Sequence, residues 1–250
     1  MSIDPKSYVC ADDILRGRVV LITGATDGIG RELALHAARF GAQVILHGRN
    51  TKKLELVYDE IEEIEGAPRP SIAVIDLSTA AGDAYVTLAE SIDKEFGRLD
   101  GLVHNAGILG QRLSIEQYDI SDWQRVLHIN LTVPFVITQQ LLPLLRKSDD
   151  PSVIFTSSGV GRVGKAFWGA YSVSKFGTES LSQILAAENR HTALRINCLN
   201  PGPVRTRMRL EAYPAEDRDK LLSPADIMPA YLYLLGPDSK GVTGQSFDLQ

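Results

Sequence analysis

The sequence predicts an α/β protein whose core is a parallel sheet with helices on both faces. Short runs rich in β-branched residues alternate with longer amphipathic stretches throughout the 250 residues. The first two strand candidates, VVLIT at 19–23 and QVILH at 43–47, are apolar runs that do not alternate with polar residues. Continuous apolar strands are typical of a sheet buried on both sides, and strand–helix repetition with short connections favours right-handed parallel crossovers.

Each predicted element follows from this alternation. The predicted strands are Val19–Thr23, Gln43–His47, Ser71–Asp76, Gly101–His104, Ser152–Thr156 and Leu194–Leu199. The predicted helices are Ile29–Phe40, Thr51–Ile64, Ala84–Phe96, Trp123–Leu145 and Ala170–Glu188. Because no shift in composition marks a second domain, we predict a single domain over 1–250 with an N-terminal extension at 1–17. The irregular, proline-rich stretch 202–223 is predicted to be a loop that shapes the substrate site.

Composition argues against several classes of function. The formal net charge of −5 provides no basic face for nucleic acid or for an anionic membrane. Cys10 and Cys198 lie in no CxxC or Cys/His pattern, so we expect no metal site and no disulfide framework. The N-terminus lacks the apolar core of a secretory signal, and no apolar run reaches the roughly 18–20 residues of a membrane span. We therefore expect a cytoplasmic protein.

A glycine-rich turn follows the first predicted strand. It reads TGATDGIG from Thr23 to Gly30 and leads directly into a helix. Glycines there let the backbone approach a pyrophosphate, and the free N–H groups of the helix start favour an anion. A plain strand–helix turn would look the same, but the position after the first strand favours a dinucleotide site.

The end of the second predicted strand indicates which dinucleotide binds. Folds specific for NAD usually place an acid here for the ribose 2′-hydroxyl, whereas an arginine suits a 2′-phosphate. This strand ends in HGRN, with Arg49 and no acid. The sequence therefore favours NADP(H) over NAD(H), unless Arg49 only borders a helix start in solvent. Asp27 in the glycine turn is a counter-argument, because an inward-pointing carboxylate would repel an added phosphate.

Tyr171 is the only tyrosine with a lysine four residues later, Lys175. On a helix these two share a face, and a neighbouring ammonium favours the phenolate and lowers a tyrosine pKa toward neutrality. An ordinary helix surface pair has the same spacing. The context favours chemistry, because Ser158 follows the predicted strand Ser152–Thr156, at the sheet edge where ligands bind.

Together these motifs resemble the short-chain dehydrogenase/reductase family, from about Arg18 to the C-terminus. The family pattern TGxxxGxG matches Thr23–Gly30, and YxxxK matches Tyr171–Lys175, with the family's serine thirteen residues earlier at Ser158. Further matches are Asp76 after the third strand, His104–Gly107 for NNAG, Asn130 in HINLTVPF, and Asn200–Gly202 followed by Val204 and Thr206. Finer features, such as WGAYxxSKF, are similar to the YciK-like group of bacterial oxidoreductases.

The resemblance implies a Rossmann-like, doubly wound, three-layer α/β/α fold with a parallel sheet of about seven strands. It implies a homodimer or homotetramer through the helices that carry Asn130 and Tyr171. The implied catalytic residues are Asn130, Ser158, Tyr171 and Lys175. The implied cofactor residues are Gly24, Thr26, Asp27, Gly28, Ile29, Gly30, Arg49, Asp76, Leu77, Asn105, Ala106, Gly107, Tyr171, Lys175, Pro201, Gly202, Val204 and Thr206. The implied substrate residues are Ser158, Gly159, Trp168 and Tyr171.

The implied mechanism transfers hydride between the nicotinamide and a carbonyl or alcohol. In reduction Tyr171 gives its proton to the carbonyl oxygen, which Ser158 polarises. Lys175 binds the nicotinamide ribose and lowers the pKa of Tyr171. Asn130 holds a water that links Lys175 to solvent, and Thr206 binds the carboxamide.

Several features remain open from sequence. His104 replaces the first Asn of NNAG, and we expect it to form a structural hydrogen bond rather than to act in catalysis. Apolar residues near the motifs, Ile108, Leu109, Phe167 and Trp168, either line a pocket or pack the fold. The arginines at 205, 207 and 209 either receive an anionic substrate or form a solvated face.

Two other functions fit the same motifs. A dinucleotide-binding sensor or scaffold would have no need for the Ser158–Tyr171 pair. A non-redox enzyme on this fold, such as a dehydratase or epimerase, would leave the cofactor absorbance unchanged. The sequence does not define the substrate, the direction of reaction, the hydride face or the number of subunits.

Overall fold

The first and fourth strands of the chain lie side by side at the centre of the sheet. The computed structural model describes residues 4–250, and within that range seven strands form one parallel sheet. The strands are β1 (Val19–Thr23), β2 (Gln43–Gly48), β3 (Ser71–Val74), β4 (Gly101–His104), β5 (Ser152–Thr156), β6 (Arg195–Asn200) and β7 (Ser246–Asp248). Their order is β3-β2-β1-β4-β5-β6-β7, which confirms the predicted doubly wound, Rossmann-like sheet.

Helices cover both faces of this sheet. They are α1 (Gly28–Arg39), α2 (Thr51–Glu62), α3 (Gly82–Phe96), α4 (Ile120–Leu127), α5 (Val133–Leu145), α6 (Gly169–Glu188), α7 (Arg207–Ala212) and α8 (Met228–Leu235). One layer contains α1, α2 and α8, and the other contains α3, α5 and α6. No helix within residues 4–250 has both the length and the apolar character needed to cross a bilayer.

Each central strand supplies two separate cores. In β1, Val20 and Ile22 pack under the α1, α2 and α8 layer, whereas Val19 and Leu21 pack under α3 and α5. Successive side chains of a strand point to opposite faces, so burial of both faces favours apolar side chains along the whole strand. This explains why all five residues of β1 are buried and why the strand reads as one apolar run.

The prediction of one continuous α-helix over Trp123–Leu145 was wrong at residues 128–132. The chain forms α4, then a π-helical turn at His128–Thr132, then α5. A π turn inserts one extra residue per turn and often occurs at functional sites. Apolar periodicity does not reveal one inserted residue, and here the wider turn contains Asn130.

Other elements differ at positions where the sequence signal is weak. The predicted loop 202–223 includes the short helix α7, and β3 ends at Val74, two residues before the predicted end. The strand β6 begins and ends one residue later than predicted. Neither α8 nor β7 was predicted, because α8 is buried nearly all round and therefore lacks a polar face, and β7 has only three residues.

The N-terminal extension packs against the end of the fold. Residues 1–3 of the predicted extension 1–17 lie outside the described residues. The hydroxyl of Tyr8 donates to Asp238 at 2.7 Å, and its ring lies 5.2 Å from the ring of Tyr233 on α8. From residue 4 onward, the extension therefore covers one side of the α8 layer.

Candidate active site

A crevice opens at the carboxyl ends of β1 and β4, where the strand order reverses. Ligands bind at this point in open α/β sheets. The crevice has a volume of about 820 Å³. Of the predicted cofactor residues, those that line it are Gly24, Thr26, Asp27, Gly28, Ile29, Arg49, Asp76, Leu77, Asn105, Ala106, Gly107 and Thr206. Those that do not line it are Gly30, Tyr171, Lys175, Pro201, Gly202 and Val204.

The glycine turn approaches its surroundings too closely for side chains at two positions. Gly24 has a φ of 69°, and a Cβ there would lie 2.9 Å from the Cα of Ala106. A Cβ on Gly30 would lie 2.2 Å from the carbonyl oxygen of Gly24. With glycine at both positions, the N-terminus of α1 lies directly at the crevice, which is the cradle that a pyrophosphate requires.

Hydrogen bonds hold the turn against the loop that follows β4. The Thr23 hydroxyl accepts from the backbone N–H groups of Asn105 and Ala106 at 3.0 and 3.1 Å. The side-chain amide of Asn105 donates to the carbonyl oxygens of Thr23 and Gly24 at 3.1 and 3.3 Å. The structure therefore gives Asn105 a structural task, which is to fix the floor of the crevice.

Asp27 caps the helix that the turn begins. Its Oδ1 accepts from the N–H of Gly28 at 2.7 Å, and the side chain is exposed. The residue thus uses one of the free N–H groups at the start of α1. On the opposite wall, the segment before α7 closes over the turn, because a Cβ on Gly28 would lie 3.2 Å from Thr206 Cγ2.

The far end of the crevice contains two cations and a carboxylate. Arg49 is exposed after β2, and Lys53 follows on the first turn of α2, where Asn50 caps the helix. Asp76 Oδ1 accepts from the N–H and the hydroxyl of Ser78, and these bonds, with the charge of Arg49, hold its pKa below the usual value. Sequence reasoning missed Lys53, although its place one turn after HGRN was a usable signal.

At the other end, Tyr171 and Ser158 come together as predicted. Ser158 follows β5, and Tyr171 lies in the first turn of α6 with 8% of its surface exposed. Burial raises the pKa of Tyr171 to about 12, and a hydrogen bond with the Ser158 hydroxyl opposes that rise. The phenol is therefore protonated at neutral pH. Gly159, also a predicted substrate residue, is exposed next to Ser158.

Lys175 lies beneath the Tyr171 ring. Its Nζ is 5.7 Å from the ring centroid and donates to the carbonyl oxygen of Thr156 at 2.7 Å. Burial lowers the pKa of Lys175 to about 8, so the ammonium form still predominates at pH 7. The shift of Tyr171 has no contribution from Lys175, and burial outweighs the lowering that the sequence suggested.

Asn130 is fixed by the π turn and by its side-chain amide. Its Oδ1 accepts from the N–H of Ile108 and its Nδ2 donates to the carbonyl of Ile108, both at 2.9 Å. Nδ2 also donates to the Ser174 hydroxyl at 3.1 Å. A Cβ on Gly107 would lie 3.3 Å from Asn130 Oδ1 and 4.0 Å from Lys175 Nζ, so these side chains converge on one point.

The sequence also matches a known protein family. The sequence model of the short chain dehydrogenases matches residues 18–217, which include the glycine turn and all four predicted catalytic residues. This chain belongs to the short-chain dehydrogenase family. It is thus an enzyme of the oxidoreductase class, and the family prediction from its motifs is confirmed.

Individual short-chain dehydrogenases are similar over nearly the whole chain. The uncharacterized oxidoreductase YciK of Escherichia coli K12 is 49% identical over 243 residues, which cover 97% of this chain and 96% of YciK. The structure of a short chain dehydrogenase from E. coli CFT073 complexed with NADPH is 50% identical with a TM-score of 0.94, covering 96% of this chain and 100% of that one. The 3-oxoacyl-[acyl-carrier-protein] reductase FabG of Thermotoga maritima is 32% identical over 240 residues, covering 92% and 95%.

The histidine that replaces the first Asn of NNAG is buried and held by contacts within the fold. His104 is buried, its Nε2 is 2.7 Å from the Thr138 hydroxyl on α5, and its ring stacks on Phe155 at 4.8 Å. Burial lowers its pKa to about 3, so the ring is neutral. The expected structural hydrogen bond is present, although its partner is a helix residue and not a neighbouring strand.

Tyr171 belongs to a small apolar cluster. It comprises Leu109, Val160, Trp168, Tyr171 and Ala212, with Met208 and Tyr213 packed against it. Of the four apolar residues left open from sequence, Leu109 and Trp168 belong to this cluster. Ile108 and Leu109 also line the crevice, Ile108 packs toward the sheet core, and Phe167 is 57% exposed. The segment 208–213 thus forms a cover over the phenol.

The late arginine run is mostly paired with acids. Arg207 lies 2.9 Å from Glu211, and Arg209 makes a two-pronged contact with Glu216. Arg205 is exposed. These contacts support the interpretation of the run as a solvated, charge-balanced face and not as an anion site. The PG segment before it is held by Gln250, whose Nε2 donates to the carbonyls of Pro201 and Pro203 at 2.7 and 3.0 Å.

Proposed function

We propose that this chain is an NADP(H)-dependent oxidoreductase that interconverts a carbonyl and an alcohol, with Tyr171 as the acid–base. One observation carries the proposal: a buried, protonated phenol lies between the Ser158 hydroxyl and the Lys175 ammonium, beside a crevice with a backbone phosphate cradle. Substrates of this kind are small molecules.

Each residue of the site has a separate role when a carbonyl is reduced. A bound nicotinamide cofactor supplies the hydride. The Ser158 hydroxyl donates to the substrate oxygen and polarises the C=O bond, and Tyr171 transfers its proton to that oxygen as charge develops. Burial keeps this phenol protonated at neutral pH, which is the state that donates a proton to a carbonyl oxygen.

Proton return to Tyr171 would run through Lys175. In this role the Lys175 ammonium would supply the returning proton and would also bind the nicotinamide ribose. We propose that Asn130 holds a water beside Lys175, since both side chains approach the same point next to Gly107. Thr206, at the wall opposite the glycine turn, would bind the carboxamide.

Arg49 and Lys53 support NADP(H) as the cofactor. Both line the end of the crevice beyond β2, where no acidic side chain from β2 points at a ribose hydroxyl. Guanidinium groups bind phosphate oxygens with paired hydrogen bonds. The homologous dehydrogenase solved with NADPH supports the same choice.

The first experiment is a parallel calorimetric titration of the protein with NADPH and NADH. We expect Arg49→Ala to weaken NADPH binding by about 10–100-fold, the value of hydrogen bonds to a charged group, and to change NADH binding little. Arg39→Ala, at the exposed end of α1, is the matched control. Equal loss for both nucleotides would show that Arg49 does not bind the 2′-phosphate. NADPH binding without reduction of any carbonyl would favour a sensor instead.

We propose a homodimer or tetramer built on the helices that carry the catalytic residues. Large apolar side chains are exposed on the adjacent helices α5 and α6, namely Phe135, Val173, Phe176 and Ile184. Such a patch on neighbouring helices is typical of an interface. Ile184→Asp is expected to lower the mass measured by sedimentation velocity to that of one chain, 27.3 kDa. Leu56→Asp, on α2, is the control, and an unchanged mass for Ile184→Asp would contradict this interface.

We also propose a cytoplasmic location. Both cysteines have free thiols, Cys10 half-buried and Cys198 buried, as expected for a reducing compartment. Fractionation of cells that express the full chain tests this proposal.

A further inference from the structure

Arg112 occupies an unusual position beside the substrate end of the site. It lies in the loop between β4 and α4, and its Cζ is 4.6 Å from the Trp168 ring centroid and 4.9 Å from that of Tyr213. Its Nη1 donates to the carbonyl oxygen of Ala212, the last residue of α7. The guanidinium therefore lies against the aromatic residues that cover Tyr171.

This cation has no acidic counterpart. Three other arginines at this end are paired: Arg125 with Asp122, Arg207 with Glu211, and Arg209 with Glu216. Among residues 4–250, no carboxylate oxygen lies within 4.0 Å of the Arg112 guanidinium. Its positive charge is offset only by aromatic faces and one carbonyl, which is weaker compensation than an ion pair.

One of its donors is also unused. The Nε of Arg112 is buried and has no hydrogen-bond partner within residues 4–250. A buried N–H without an acceptor is costly, and a ligand is one way to satisfy it. With Nη1 occupied by Ala212, the edge formed by Nε and Nη2 remains for a planar, two-pronged acceptor. A carboxylate has that shape.

The surroundings describe the rest of the ligand. Trp168 separates Arg112 from the catalytic phenol, with its ring 5.7 Å from Tyr171 and 5.9 Å from Tyr213. Leu109 and Val160 complete the apolar side chains that pack with Tyr171. Once the segment 208–213 moves aside, a flat apolar body would pack on these side chains, with its carbonyl at Tyr171 and a charged end at Arg112.

We propose that the substrate is a carbonyl compound with a flat, apolar body and a carboxylate, and that Arg112 binds the carboxylate. This assignment rests on the proposed carbonyl reduction. Substrate entry requires the segment 208–213 to move off Tyr171, which removes Ala212 from Arg112 and uncovers Nε. The carboxylate then binds the Nε–Nη2 edge, and Nη1 donates to the Ala212 carbonyl again when the cover closes on the substrate.

The test compares two probes of the same shape. Reduction of 4-formylbenzoate and of 4-nitrobenzaldehyde, which is planar and uncharged, is followed with NADPH for the wild type, Arg112→Met, Arg112→Lys and the surface control Arg39→Met. We expect Arg112→Met to lower kcat/KM for 4-formylbenzoate by about 10–100-fold relative to 4-nitrobenzaldehyde. Arg112→Lys should restore part of that ratio, and thermal unfolding establishes that each variant is folded.

A binding measurement separates this inference from the proposed function. Calorimetry with the unreactive 4-methylbenzoate and its neutral amide, 4-methylbenzamide, on the NADP⁺-saturated wild type should show carboxylate binding that Arg112→Met loses. Such binding without reduction of either aldehyde would contradict the proposed function but support the anion site. If Arg112→Met lowers the rates for both aldehydes equally, Arg112 only holds the segment 208–213 in place and the inference is overturned. Equal binding of the carboxylate and the amide would overturn it as well.

Discussion

Replacing Tyr171 by phenylalanine is expected to lower the turnover of NADPH-dependent carbonyl reduction by about 10²–10⁴-fold, the usual contribution of one positioned acid. The variant removes a single oxygen from a side chain that is 8% exposed, so the ring still packs against Trp168. The hydroxyl lost is the one that interacts with Ser158. Steady-state kinetics with any accepted aldehyde measures the effect.

Two further measurements make the Tyr171 prediction specific. Calorimetric titration should show that Tyr171→Phe still binds NADPH, because the phosphate cradle and Arg49 are untouched. Tyr58→Phe, on α2 and away from the crevice lining, controls for the loss of a phenol oxygen elsewhere. Turnover of Tyr171→Phe equal to that of the wild type would refute the proposed mechanism, whatever cofactor is bound.

Replacing Arg195 by methionine is expected to lower the free energy of unfolding by about 3–5 kcal/mol, the cost of breaking a buried ion pair from one side. Arg195 begins β6 and is 2% exposed. It donates to both carboxylate oxygens of Asp150 at 3.0 and 3.1 Å, and to the carbonyls of Leu234 and Gly236 at 2.7 and 3.2 Å. The variant leaves these acceptors with fewer donors, and a buried acceptor that loses its hydrogen bond lowers the stability of the folded state.

Urea unfolding followed by circular dichroism measures the Arg195 effect. Arg190→Met, an exposed arginine after α6, is the matched control and should change the free energy of unfolding little. A loss below about 1 kcal/mol for Arg195→Met would show that Arg18, which also contacts Asp150 at 3.2 Å, compensates the carboxylate alone. The site lies at the amino end of β6, opposite the catalytic edge of the sheet, so folded variant protein should retain its activity.

Local signals made much of the site predictable. The glycines at 24 and 30 occur in the sequence because backbone must pass within van der Waals contact at those points, and no side chain fits there. The spacing of Tyr171 and Lys175 follows from helical periodicity, and Ser158 follows directly from the end of a buried strand. Each of these is a short-range constraint, and short-range constraints are visible in the order of residues.

Contacts between distant segments were not predictable in the same way. Arg112 meets Trp168, Tyr213 and Ala212 across 56, 101 and 100 positions of the chain, and no periodicity relates them. The π turn that holds Asn130 depends on packing among α4, α5 and α6 and leaves no mark in the apolar pattern. The raised pKa of Tyr171 likewise comes from burial under residues of α7 and the loop after β4.

The sequence by itself therefore determined the fold class and the family, and it identified the glycine turn and four candidate catalytic residues, because hydrophobic periodicity, glycine geometry and fixed spacing are local properties. Only the tertiary structure decided which arginine lies unpaired against the aromatic residues beside Tyr171. The run at 205–209 looked basic in sequence, yet folding pairs Arg207 with Glu211 and Arg209 with Glu216, leaves Arg205 exposed, and places Arg112 against Trp168 and Tyr213 without an acid. Charge compensation depends on which residues meet in space, and that is established only when the chain closes on itself.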